Sequence, residues 1–116
     1  MSKRSPRLYL DDILASIANV EQYTKELSFE EFVHDRKTID AVVRNLEIIG
    51  EAAKNLPEKI TVQYPKIPWN RIISMRNKVV HEYFGVDVDI LWKTIQEDLP
   101  ELRRQIEDIR KATNAP

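Results

Sequence analysis

Apolar residues recur every three or four positions along almost the whole chain, which is the spacing of amphipathic helices. No run of residues alternates apolar and polar side chains as a half-buried strand would. The pattern therefore predicts an all-α protein. Its first helix should begin with Ser5 as N-cap and Pro6 as first helical residue, and should run to about Leu27. The apolar stripe of this helix consists of Ile13, Ile17, Val20 and Tyr23.

A short helix and then a second long helix are predicted next. Residues 28–31 read Ser-Phe-Glu-Glu and have the form of a capping box, which opens the short helix, while Asp35 is suited to cap the long one. The expected core face of the long helix consists of Ile39, Val42, Val43, Leu46, Ile49 and Ala53. On its other side Ile48, with Ala41 and Ala52 nearby, forms a weaker apolar strip. That strip is equally consistent with a dimer contact and with an isolated outward side chain.

Prolines mark the middle of the chain. Residues 56–69 contain three of them, so this segment is predicted to connect helices and to hold about one helical turn. Pro68 then starts a third long helix over residues 68–84, for which Gly85 is a natural C-cap.

Two further helical stretches are predicted beyond this glycine. Asp87 or Asp89 can cap the first of them, and Pro100 breaks or kinks the helical line. The last helix should face the bundle through Leu102, Ile106 and Ile109.

Composition limits the classes of function. The 116 residues, 42% of them hydrophobic, suit a single domain over 1–116. Eighteen basic and nineteen acidic residues give a net charge of −1, so any contact with RNA or DNA must be local. The chain has no cysteine, which excludes disulfides, thiolate zinc sites and cysteine nucleophiles and suits a reducing cytoplasm. No stretch approaches the length of a membrane span, so we expect a soluble cytoplasmic protein.

Only two glycines and two histidines are present, which argues against Gly-rich phosphate loops and against a histidine metal cage. We therefore expect neither a metal nor a cofactor. His34 stands alone before a helix start, and we interpret it as structural.

Arg76 is the unusual residue of the third long helix. At about 100° per residue it projects from the centre of an apolar stripe and shares a face with Tyr83. That stripe consists of Trp69, Ile72, Ile73, Val79 and Val80. A guanidinium placed there needs acceptors, because an unpaired buried charge costs several kcal/mol. Residue types alone favour a structural salt bridge to the second long helix, for which the candidates are Asp40, Glu47 and Glu51. The functional interpretation is a groove in which Arg76 meets a phosphate.

His81 lies four residues after Asn77, so the Asn77 amide can hydrogen-bond the imidazole and orient it. A lone histidine on a helix flank is nevertheless more often structural than catalytic. Lys78 is expected on the far side of the stripe, in solvent.

The pattern Arg-x4-His-x-Tyr over residues 76–83 resembles the HEPN superfamily, and specifically the HepT-like toxins. The likeness extends through four further blocks and so covers nearly the whole chain. These blocks are Asp35-Arg36, residues 46–53, Ile67-Pro68-Trp69, and the stretch that begins with residues 83–87 and ends at Leu99-Pro100. Together these blocks are specific, whereas the bare Arg-x4-His spacing is weak.

The resemblance implies a compact up-and-down helical bundle of four to five helices, which dimerises so that two motifs face one shared cleft. It also implies a metal-independent ribonuclease toxin that is held in check by a partner minimal nucleotidyltransferase. This antitoxin transfers AMP to the tyrosine of the motif, which is Tyr83 by match. A higher-order complex of toxin and antitoxin is left open.

The residue types fit this chemistry. His81 is suited to act as general base or acid near neutral pH, Arg76 to neutralise charge on the phosphoryl oxygens, and Asn77 to position His81. One histidine cannot be base and acid in a single step, so a two-fold dimer would supply the second. The alternative interpretation of Tyr83, to the AMP acceptor that the resemblance implies, is a core tyrosine. Two alternatives stay open: a non-catalytic nucleotide-binding or partner-binding subunit of a nucleotidyltransferase complex, and a helical assembly protein whose motif is a buried ion-pair network.

Overall fold

The computed structural model describes residues 5–74 and 87–113. Throughout this part of the chain the regular structure is helical, without a strand, so the all-α prediction is confirmed. The elements are α1 (Pro6–Thr24), α2 (Phe29–Val33), α3 (Arg36–Lys54), α4 (Glu58–Gln63), α5 (described over residues 69–74), α6 (Val88–Lys93), a π-helical turn (Thr94–Asp98) and α7 (Leu99–Ala112).

The first three helices begin at the predicted caps. The Ser5 side chain accepts a hydrogen bond from the Arg7 backbone N–H at 3.3 Å. In α2, Ser28 and Glu31 form the complete capping box, in which each side chain accepts from the backbone N–H of the other residue. Asp35 accepts from the backbone N–H of Thr38 at 3.1 Å and so caps α3. These short polar residues satisfy N–H groups that have no partner within the helix.

Helix α1 ends earlier than predicted, at Thr24 instead of about Leu27. The Thr24 hydroxyl donates to the Val20 carbonyl at 2.8 Å, and the Leu27 N–H bonds back only three residues, to the Thr24 carbonyl. This tighter turn ends the α-helix, yet Leu27 still packs against the core. The predicted apolar stripe of α1 is buried at Ile13, Ile17 and Val20, but the prediction is wrong for Tyr23, which is 43% exposed.

Helix α1 lies between α3 and α7 and runs antiparallel to both. It packs most extensively against α3, where the Asn19 amide donates to the Asn45 side-chain oxygen at 3.2 Å. Two ion pairs join it to α7: Glu21 with Arg103 at 2.6 Å and Asp11 with Arg110 at 2.7 Å. The largest fully buried side chains come from all three helices and from α2, and are Leu10, Ile13, Ile17, Val20, Phe32, Val42, Leu46, Ile49, Leu99, Ile106 and Ile109.

The predicted core face of α3 is buried throughout, but the prediction for its other side is partly wrong. Ala52 was placed on an outer strip with Ile48, whereas it is only 5% exposed and belongs to the core. The cause is α1, which packs over this side of α3 and also covers the polar Asn45. Ile48 and Ala41 are half-buried, so the outer strip is narrower than predicted.

The irregularity predicted at Pro100 takes the form of the π-helical turn. The Leu99 N–H bonds to the Thr94 carbonyl, five residues back, directly before the proline. Proline has no N–H to donate and its ring crowds the carbonyl four residues earlier, so a locally wider turn accommodates it. The chain thereby stays helical from α6 into α7. In α7 the predicted core residues Leu102, Ile106 and Ile109 are all buried.

Candidate functional site

The predicted site residues Arg76, Asn77, His81 and Tyr83 lie outside the described residues, as does Gly85. Their roles therefore stay predictions. What the structure shows is how the bundle holds the chain on the two sides of this motif.

On the N-terminal side, α5 is anchored by two buried isoleucines and an indole. Ile67 and Ile72 are 5% and 4% exposed. The Trp69 indole N–H donates to the Tyr64 carbonyl at 3.0 Å, and the Arg71 guanidinium forms an ion pair with Asp98 of the π-helical turn at 3.3 Å. The helix that leads into the motif is therefore tied both to its own preceding turn and to the junction of α6 and α7.

On the C-terminal side of the motif, α6 is capped by Asp87, one of the two predicted cap residues. Its carboxylate accepts from the backbone N–H groups of Asp89 and Ile90 at 3.0 and 3.3 Å, and Leu91 is buried one turn later. Trp92 then packs against two rings of α2, with centroid distances of 5.1 Å to Phe32 and 5.9 Å to Phe29. This aromatic cluster fixes α6 against α2.

Sequence reasoning missed these long-range ties. The Arg71–Asp98 pair joins residues 27 positions apart, and no local spacing signals it. The aromatic residue types suggest that Trp92 belongs to a cluster, but they do not show that Phe29 and Phe32 are its partners.

The carboxylates proposed as structural partners of Arg76 lie on α3. Asp40 pairs with Arg36 at 3.2 Å, and Glu47 lies 3.7 Å from Arg44, both within α3. Glu51 is exposed. Any contact that Arg76 makes with the three lies outside the described residues.

Asp35 is the carboxyl whose pKa is most clearly displaced in the described part. The Thr38 hydroxyl donates to it at 2.7 Å and the Thr38 backbone N–H at 3.1 Å, and both hydrogen bonds lower its pKa below the usual value. Because both donors favour the ionised form, the shift is explained by the helix cap and indicates no separate site.

The second histidine, His34, is exposed at the C-terminal end of α2, where its backbone N–H donates to the Glu31 carbonyl at 3.2 Å. Over residues 5–74 and 87–113, no three His, Asp or Glu side chains gather so as to hold a metal ion. Nor does any helix of these ranges have the length and apolar character needed to cross a membrane.

The described residues line two open grooves, of which the first adjoins α5. One, of about 220 Å³, runs between α5 and α7, and the other, of about 320 Å³, between α1 and α3. The first is lined by Lys66, Pro68, Arg71, Ile72, Asp98, Leu99, Glu101, Leu102 and Gln105. The second includes the half-buried Ile48.

Comparison with known proteins places the motif in a family context. A sequence model of the family described as ribonuclease HepT-like matches residues 13–109, a span that contains the whole Arg76–Tyr83 motif. The chain belongs to this HepT-like family. A relative in Thermococcus cleftensis, named as a probable ribonuclease HepT, is 50% identical over 94% of this chain and 99% of its own.

Two further relatives carry provisional RNase names. That of Caldanaerobacter subterraneus is 46% identical over 91% of this chain and 95% of its own. That of Methanocaldococcus jannaschii is 40% identical over 96% of this chain and 92% of its own. No solved structure matches the chain.

Proposed function

We propose that this HepT-like protein is a metal-independent endoribonuclease and the toxin of a toxin–antitoxin system. The observation that carries the proposal is the family match over residues 13–109, within which the Arg-x4-His-x-Tyr motif is intact. The ribonuclease names of the relatives, which align over nearly their full length, support the same substrate class.

Cleavage of RNA without a metal uses the 2′-hydroxyl as nucleophile. A base removes its proton, the oxygen attacks the adjacent phosphorus, and the 5′-oxygen leaves with a proton from an acid, so that a cyclic phosphate remains. His81 is suited to this proton transfer, and Asn77 to orienting its imidazole. Arg76 neutralises the charge that builds on the phosphoryl oxygens and stays protonated at every relevant pH.

The reaction calls for a dimer, because it needs a base and an acid at the same time and each chain offers one motif histidine. In a two-fold dimer the partner supplies the second His81 to a shared cleft. The anchors on both sides of the motif, Ile72 and the Asp87 cap, support a site carried by a fixed frame.

Control by an antitoxin completes the proposal. A minimal nucleotidyltransferase, encoded beside the toxin, binds it in the cytoplasm and transfers AMP to the Tyr83 hydroxyl with release of pyrophosphate from ATP. The added phosphate is an anion beside Arg76, so it occupies the guanidinium and blocks the cleft.

Cleavage in the presence of EDTA tests the enzyme. Purified protein is incubated with RNA in EDTA beside the variants Arg76→Ala and His81→Ala, and we expect both variants to lose cleavage. His34→Ala is the matched control, because His34 is exposed and the structure shows only its backbone in a hydrogen bond. Cleavage that persists in His81→Ala would refute the mechanism. Inactivity of freshly made, unmodified protein on many RNAs would favour the non-catalytic binding subunit.

Intact-mass measurement tests the modification. Mixing with the nucleotidyltransferase and ATP should add one AMP to the wild type and none to Tyr83→Phe. Tyr23→Phe is the control, since Tyr23 is a tyrosine exposed on α1 and should leave the increment unchanged. An AMP increment that survives Tyr83→Phe removes Tyr83 from the scheme.

A further inference from the structure

The charge of the chain is unevenly distributed, although its total is nearly zero. Residues 54–71 contain four basic residues and one acidic residue. Residues 5–53 contain five basic and ten acidic residues, and residues 87–113 five basic and seven acidic. The basic stretch also runs directly into Arg76 and Lys78 of the motif region. Besides residues 1–7, which hold three basic residues and no acidic one, the near-neutral chain thus carries one cationic segment, residues 54–71, and it adjoins the motif.

The cations of this segment stand on a rigid frame. Three of its apolar residues, Leu56, Ile60 and Ile67, are buried in the core, as is Ile72 directly after it, whereas Val62 is exposed. The Tyr64 carbonyl accepts two hydrogen bonds, from the Ile67 backbone N–H at 3.1 Å and from the Trp69 indole at 3.0 Å. A frame that is ordered in advance loses little conformational entropy when a ligand binds to it.

The lysines of the segment are exposed to solvent. Lys54, Lys59 and Lys66 are solvent-exposed, and within residues 5–74 and 87–113 none of the three forms an ion pair. Lys54 lies in the last turn of α3, where a cation also stabilises the helix dipole. Lys59 and Lys66 lie on α4 and in the turn after it, and no such structural role accounts for them.

We propose that the segment 54–71 is an RNA-binding surface, which holds the phosphate backbone of the substrate and leads it to the motif. This inference rests on the proposed ribonuclease function and specifies where that enzyme grips its substrate. Lys59 and Lys66 contact phosphates, as does Arg71, which lines the 220 Å³ groove together with Lys66. Contacts of this kind position a strand without reading its sequence.

The α7 side of the same groove carries Glu101, which is exposed, and Asp98, which already pairs with Arg71. A carboxylate beside the path of a polyanion weakens binding. Removal of the Glu101 charge should therefore change RNA affinity in the opposite direction to removal of the Lys66 charge.

The test measures binding in a His81→Ala background, which does not cut. The probe is a fluorescent single-stranded RNA of about 20 nucleotides, titrated at several salt concentrations. Lys59→Gln/Lys66→Gln should weaken binding about tenfold near 0.1 M salt and lower the slope of log affinity against log salt by about 1.4, since each phosphate contact to a single strand contributes about 0.7. Glu101→Gln should tighten binding about threefold.

The matched control is Lys25→Gln/Lys93→Gln, which removes two exposed lysines outside the segment and changes the net charge equally. It should bind as tightly as the parent. All variants should keep the parent's melting temperature, because every substituted side chain is exposed. Equal weakening by both lysine pairs, or no weakening by Lys59→Gln/Lys66→Gln, overturns the proposal.

Cleavage assays separate this inference from the proposed function. With His81 restored, Lys59→Gln/Lys66→Gln should raise the KM for the long RNA about tenfold, and should raise the KM for a dinucleotide, which has a single phosphate, by much less. If the wild type cuts neither substrate, the proposed ribonuclease function is refuted, and the binding comparison still tests the proposed RNA-binding surface. A variant that cuts the long RNA with unchanged KM refutes the surface and leaves the ribonuclease standing.

Discussion

The substitution Ile72→Ala tests whether the core anchor of α5 serves the motif. Ile72 is 4% exposed, and its side chain also lines the open groove beside α7. Removal of its atoms beyond Cβ loses about 2.4 kcal/mol of transfer free energy at ~0.8 kcal/mol per buried carbon. The adjoining groove lets water and neighbours fill the space, so the cavity term stays small and the total loss should be only slightly larger than this, about 2.5 kcal/mol.

Ile17→Ala is the matched control, because Ile17 is fully buried in the centre of α1 and far in sequence from the motif. The same atoms leave a closed cavity there, so its loss of stability should be larger, about 3 to 4 kcal/mol. Urea unfolding measures both losses, and RNA cleavage is measured at a temperature at which both variants stay folded. We expect Ile72→Ala to be the more stable variant and the less active one. A greater loss of activity in Ile17→Ala would refute the anchoring argument.

Three further predictions concern the fold. The hydrogen bonds from Thr38 lower the pKa of Asp35. The stability that the ionised Asp35 contributes is therefore present above the ordinary carboxyl pKa and is lost as the pH falls through the lowered value. The difference in urea midpoint between wild type and Asp35→Asn should narrow below about pH 4, and a difference that stays constant would contradict this. Arg103→Ala removes the part-buried ion pair with Glu21 and should lower the free energy of unfolding by about 0.5 to 1 kcal/mol, and by less at high salt. An equal loss of stability in 1 M salt would show that packing, not charge, is responsible. Trp92→Leu should lower the free energy of unfolding by about 1 kcal/mol, because the contacts with the two phenylalanine rings are lost. An unchanged midpoint in urea unfolding would contradict this.

Local rules predicted most of the helical framework. Ser5, Ser28 and Asp35 cap the helices assigned to them, since an N-cap depends on only a few neighbouring residues. Of the two candidates Asp87 and Asp89, Asp87 is the one that caps α6. The side of α3 that carries Ala52 was assigned wrongly, because its burial depends on α1, which comes from a distant part of the sequence. Periodicity shows which residues share a face, but not how many neighbouring helices cover that face.

The candidate site was predicted differently. The motif over residues 76–83 became recognisable through its spacing and through the blocks around it, and the family match confirms the family. The Arg71–Asp98 pair was not predicted, because it depends on how α5 meets the π-helical turn. Nor did the net charge of −1 reveal the basic segment 54–71, since a total hides its distribution along the chain.

Subunit mixing tests most directly whether two copies of His81 act in one cleft. Wild-type and His81→Ala chains are unfolded together, refolded at varied ratios and assayed for RNA cleavage in EDTA. If one reaction needs a histidine from each subunit, only wild-type dimers cut, and an equal mixture should retain roughly a quarter of the activity of the same total amount of wild type. Retention of roughly half, in proportion to the wild-type fraction, would mean that each chain works alone and would contradict the shared site.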